Sequence, residues 1–128
     1  MLLFEEQTKI IIGCFYKVYN TLGSGFLEKV YENALLHEIK KNKVQAVQQY
    51  PIKVYYESII VGEYFADILV NDEIILEIKT TNDINTVHEA QLFNYLKATD
   101  KKLGLLLCFG KAAKIRRIIN TKNPCKSV

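Results

Sequence analysis

Tryptophan is absent, and histidine and proline occur only twice each in the 128 residues. The three cysteines, Cys14, Cys108 and Cys125, are odd in number and widely spaced, with no CxxC and no close histidine pair. That argues against a disulfide framework and a zinc site, and reduced thiols are the simplest expectation. No apolar run approaches the ~20 residues of a membrane-spanning helix. Met1-Leu2-Leu3-Phe4-Glu5-Glu6 has neither the basic start, the apolar core nor the small-residue cleavage site of a secretory signal. A cytoplasmic protein without a membrane partner is therefore expected. Repeats and low-complexity tracts are lacking too. Acidic residues disappear after Asp100: residues 101 to 128 hold 8 lysines and arginines and no acid, whereas residues 1 to 100 hold 9 basic and 14 acidic residues.

What is present is 49% hydrophobic residues in a chain of single-domain length, so residues 1–128 should form one domain around one core. The basic end, Lys101, Lys102, Lys111, Lys114, Arg116, Arg117, Lys122 and Lys126, could contact phosphates or serve as a solubilising face and frayed tail. Residues 121–128 read as a loose basic tail.

Helical spacing of Ile11, Phe15, Val18 and Leu22 predicts a first helix from Thr8 to Leu22, ended by Gly23-Ser24-Gly25. A second is expected from Phe26 to Lys41, with Ser24 as its N-cap and Leu27, Val30, Tyr31, Ala34, Leu35 and Ile39 on its buried side. Glu28, Tyr31, Glu32 and Leu35 follow one another at i, i+3, i+4 and i+7. Glu28 taken alone is a helix-start acid favoured by the dipole. Strands follow at Gln49–Tyr56 and Ile59–Val70, with a turn at Glu57-Ser58, a bulge or bend at Gly62, and Pro51 suited to an edge. Asn85 or Thr86 can cap a third helix running to Thr99, and Leu103–Gly110 reads as a strand covered on both faces. Residues 114–120 suit a last strand, with a short helix from Ala112 as the other reading. The order is α-α-β-β-β-α-β with a weak final element.

The most informative stretch runs from Asp67 to Lys79. Glu77 and Lys79 share one face of a strand whose Ile74, Leu76 and Ile78 point the other way into a core. Asp67 lies amid Phe65, Ala66, Ile68, Leu69 and Val70, where a charge without a partner is costly. Whether Asp67 joins the face of Glu77 depends on the turn. A two-residue loop at Asn71-Asp72 would separate them, and a loop of Asn71, Asp72 and Glu73, or a bulge, would bring them together. The latter is expected. Glu28, Asp67 and Glu77 converging with Lys79 would form a hard-ion site, because clustered carboxylates raise one another's pKa values unless a cation or proton neutralises them. Oxygen ligands without cysteine or a histidine pair point to Mg²⁺ or Mn²⁺, and an adjacent lysine suits metal-assisted phosphodiester hydrolysis. The alternative for these charges is an edge hairpin protected from aggregation.

The spacing Asp67, Glu77, Lys79 within this element order resembles the PD-(D/E)xK nuclease superfamily. Gly25-Phe26-Leu27-Glu28-Lys29-Val30-Tyr31 is similar to the signature of the prokaryotic GxxExxY family, and Gln91-Leu92-Phe93-Asn94-Tyr95 to the QxxxY motif of RecB-like nucleases. The resemblance covers residues 10 to 119. It implies an α/β (α+β) fold with a restriction-endonuclease-like αβββαβ core, an extra N-terminal helix and a mixed central sheet flanked by helices. It further implies a Mg²⁺-dependent deoxyribonuclease in which Glu28, Asp67 and Glu77 bind metal, Lys79 is the catalytic lysine, and Gln91 and Tyr95 line the site or touch DNA. Tyr31 is a further candidate for ligand or phosphate contact, although tyrosines on apolar helix faces are more often core residues. His88 reads as a capping or packing residue ahead of a catalytic one. His37 receives no role. Nucleic acid, specifically DNA, is the expected partner. A homodimer is also expected where a small nuclease must span a duplex. The alternative reading is a non-catalytic nucleic-acid- or protein-binding module that keeps the nuclease fold.

Overall fold

The computed structural model describes residues 4–121. Cys125, Lys122, Lys126 and nearly all of the expected basic tail lie outside the described residues. Helix α1, Glu5–Leu22, begins a turn earlier than its apolar stripe suggests, with Glu5 and Glu6 in the first turn where the dipole favours acids. It buries Ile11, Cys14, Phe15 and Val18 and stops at Gly23, whose φ of 71° suits a glycine and whose N–H reaches Tyr19 O at 2.7 Å.

Helix α2 spans Glu28–Lys41, and its first turn corrects the expected cap: Leu27 occupies the N-cap without a side-chain hydrogen bond. Tyr31 instead fixes the connection that leads into the helix. Its hydroxyl donates to Gly23 O at 2.5 Å and accepts from Phe26 N at 3.2 Å, so the buried ring ties down the α1–α2 connection from below.

Strand β1, Ala46–Tyr56, and strand β2, Ile59–Val70, form a long hairpin. Glu57 and Ser58 both have positive φ, as a two-residue primed turn requires. The register shifts between Val54 and Tyr55, opposite Gly62, where a bulge was expected. Strand β3, Ile74–Lys79, pairs antiparallel with β2. Helix α3, Thr86–Thr99, is capped by Asn85, whose side chain accepts from His88 N at 2.9 Å. Strand β4, Leu103–Phe109, lies parallel to β3 and is buried throughout. The ambiguous last element is a strand, β5, Ala113–Ile119, antiparallel to β4.

The five strands follow chain order in one mixed sheet, with β1 and β5 at the edges. Pro51 thus sits on an edge strand, where its missing N–H costs no ladder bond. One layer sets Phe15, Tyr31 and Leu35 of α1 and α2 against Ile74, Leu76 and Ile78; the other sets Leu92, Tyr95 and Leu96 of α3 against Ile75 and Leu106. Covering both faces explains why β3 and β4 are apolar at successive positions. Among the described residues no helix is long and apolar enough to cross a membrane.

Candidate nuclease site

The parity of the β2–β3 connection decides the site. Val70 pairs with Ile74, Leu69 with Ile75 and Ile68 with Leu76, so three residues, Asn71, Asp72 and Glu73, make the turn. Asn71 and Asp72 adopt positive φ and Glu73 N closes onto Val70 O at 2.9 Å. Asparagine and aspartate tolerate that region better than other residues with a Cβ. The next pair in this register is Asp67 opposite Glu77, the arrangement that a two-residue loop would have prevented.

At that pair the strands fork. The β2–β3 ladder ends at Ile68 and Leu76, while β3 continues beside β4 to Lys79 and β2 continues beside β1. Backbone donors released by the fork are satisfied by the two acids. Asp67 N donates to Glu77 Oε2 at 2.9 Å, and Ile78 N donates to Asp67 Oδ2 at 2.7 Å. The β1–β2 ladder also omits the Gln49–Asp67 pair, and Gln49 has φ 55°. Ala66 and Ile68 would share a face in a regular strand, yet they belong to opposite layers. The strand turns over at Asp67.

Electrostatics follow from this burial. Removal from water is the main force raising the Glu77 carboxyl, and repulsion from Asp67 adds to it; the Asp67 N–H and Lys79 oppose, leaving it at about 8. Asp67 is raised to about 6, again chiefly by desolvation, with the Ile78 N–H pulling down and the charges of Glu32 and Glu28 pushing up. Lys79 donates to Gln91 Oε1 at 3.3 Å, linking strand and helix. Tyr95 lies beneath α3, its hydroxyl pushed up to about 12 by burial and by the fields of Glu77 and Asp67, so it remains a neutral hydrogen-bond donor.

Not every expected residue joins this group. Glu28 is exposed at the first position of α2 and acts on both acids through space. The expected convergence of three carboxylates is not formed: among the described residues no three His, Cys, Asp or Glu side chains are placed to hold a metal. The reason is local, since Asp67 and Glu77 turn their oxygens onto backbone N–H groups across the fork. Tyr31, a candidate for ligand contact, is fully buried, with its hydroxyl engaged by the α1–α2 connection and its ring stacked on Phe109 at 4.4 Å. His88 supplies its backbone N–H to the Asn85 cap, and its ring Nδ1 is buried without a partner. Burial and the Lys79 charge hold that ring's pKa down.

Glu32 was legible in the sequence, one helical turn after Glu28, but received no role. It is buried and accepts from Lys29 Nζ at 3.0 Å, Gln48 Nε2 at 2.6 Å and Gln49 Nε2 at 3.1 Å. This network braces α2 against the irregular point of β1 facing Asp67. The basic C-terminal set is divided: Lys101 reaches Asp72 at the turn end of β3, while Lys114 and Arg116 pair with Asp83 and Glu89 near the other end.

A central mixed sheet with two acids and a lysine at a fork, flanked by helices, is the architecture of a restriction-endonuclease-like domain. The chain belongs to the PD-(D/E)XK nuclease superfamily, whose family model matches residues 5–118. A solved structure, described as the crystal structure of SSO0001, shares the fold with a TM-score of 0.58 and 18% sequence identity over 77% of this chain. The present chain spans about half of that protein, 53% of its length. No curated protein matches this chain.

Proposed function

We propose that this protein hydrolyses DNA phosphodiester bonds with a divalent cation, Mg²⁺ or Mn²⁺, at Asp67 and Glu77, with Glu28 as the third acid of the GxxExxY signature. The observation that carries this reading is the pairing of Asp67 with Glu77 at the fork, both raised in pKa and both beside Lys79. Two desolvated carboxylates of this kind fit a hard cation, which neutralises the charge that burial opposes. Bound there, the ion supplies Lewis acidity and a more acidic water. The chain's own groups do the rest. Lys79, held by Gln91, offers a fixed positive charge to a scissile phosphate, and Tyr95 offers a neutral donor. Tyr31 supports the site from the core by fixing the approach to Glu28.

A second copy fits the exposed apolar residues of the outer hairpin, Tyr55, Tyr56, Ile59, Ile60 and Val61. The docked carboxylates and the absence of a preassembled triad among the described residues favour, as a second reading, a nuclease-fold binding module without turnover. Labelled linear and circular DNA incubated with Mg²⁺, Mn²⁺ or EDTA separates the two readings. Metal-dependent cleavage lost in Glu77→Gln and Lys79→Ala is expected. Equal cleavage in those variants, or none by the wild type, would overturn the nuclease reading.

A further inference from the structure

A groove of about 560 Å³ lies between α3 and the outer part of the β1–β2 hairpin. Gln91 and Tyr95 belong both to it and to the candidate site; Val54, Tyr64, Asn94 and Lys97 also line it. The rings of Tyr64 and Tyr95 stand 5.7 Å apart at 38°. Tyr64, three residues before Asp67 on β2, is 49% exposed. The ring lies over Gly62, two residues earlier, where an added Cβ would meet Tyr64 Cε2 at 3.1 Å and push the ring aside. No acidic side chain is among the described residues lining the groove.

We propose that this groove receives an unpaired nucleotide next to the bond presented to Asp67 and Glu77, making single strands and unpaired ends the substrate class of this site. The inference rests on the nuclease reading and deepens it. Every base offers a π-face to an aromatic platform, and such stacking is available only when the base has left a duplex. The Gln91 and Asn94 amides can meet a base edge, and Lys97 a phosphate. A groove of this volume is sized for one small ligand, such as a single base.

The test is anisotropy of a labelled oligothymidine strand, a blunt duplex and the same duplex with an unpaired end, measured in EDTA and in Ca²⁺. Wild type, Tyr64→Ala, Tyr64→Phe and Gly62→Val are compared, with thermal melts confirming that each is folded. Single strand and unpaired end should bind more tightly than blunt duplex. Tyr64→Ala should weaken the single strand by about 5- to 150-fold and leave the blunt duplex unchanged. Tyr64→Phe should retain wild-type affinity, and Gly62→Val should weaken binding by displacing the ring. Unchanged single-strand affinity in Tyr64→Ala, preference for the blunt duplex, or no binding to any of the three would overturn the proposal. Binding as expected without cleavage in Mg²⁺ or Mn²⁺ would instead remove the nuclease reading alone.

Discussion

Glu77→Gln should make the metal-free protein more stable at alkaline pH. In the folded state the Glu77 carboxyl is raised from 4.5 to about 8, and Asp67 from 3.8 to about 6, mainly because both are withdrawn from water. A raised folded-state pKa means that the native protein binds more protons than the unfolded chain between the two values. Stability is therefore fully present below 4.5 and is lost as pH rises through about 8. For Glu77 alone the displacement corresponds to roughly 5 kcal/mol as a ceiling, at about 1.36 kcal/mol per pH unit. The pair titrates jointly and glutamine keeps the acceptor for Asp67 N, so a gain of about 2 to 3 kcal/mol above that pH is expected. Little change is expected where the wild-type carboxyl is already protonated. Saturating Mg²⁺ or Mn²⁺ should reverse the order, since a cation at about a thousand times its Kd adds about 4.1 kcal/mol to the chain that binds it. Urea denaturation across pH, in EDTA and in metal, reads all of this. A Glu77→Gln chain less stable than wild type at high pH in EDTA, by the same margin as at low pH, would refute the reasoning: the carboxylate would then be held by bonds that outweigh its desolvation.

Tyr31→Phe leaves Gly23 O and Phe26 N without their partner and should cost about 1 to 3 kcal/mol in urea denaturation. Gly110→Ala should destabilise by a similar amount, about 1 to 3 kcal/mol or more, because the added Cβ would stand 2.4 Å from Thr81 O. Glu32→Leu strips the acceptor from Gln48, Gln49 and Lys29. It should cost about 2 to 4 kcal/mol in thermal or urea melts and lower any metal-dependent cleavage by loosening the strand opposite Asp67. Sedimentation with and without DNA tests the second copy: Tyr56→Lys with Ile60→Lys should shift a dimer towards monomer, and a strictly monomeric wild type would remove the dimer.

Local pattern carried the fold a long way, and for definite reasons. The stripe through Ile11, Phe15 and Val18, the alternation along β3 and the apolar run of β4 each follow from burying one helix stripe, one strand face or both. Gly62 marked the bulge and Asn85 the cap because such positions need a particular backbone or acceptor that few residues supply. The acids Asp67 and Glu77 were legible because charges amid apolar neighbours need a partner. The sequence left other points open where the answer depends on contacts between distant segments. Ser24 was as good a cap as local chemistry offers, yet Leu27 holds the N-cap and Tyr31, buried under the loop, fixes the connection that leads to it. Glu32 was an ordinary helix acid until Gln48 and Gln49 met it from β1. The basic end was continuous in sequence but divided in space, because a strand carries Lys101 and Lys114 to opposite ends of the sheet. The fork itself was decided only by tertiary structure: residue types allowed either turn parity after Val70, and pairing across the sheet selected the one that sets Asp67 against Glu77.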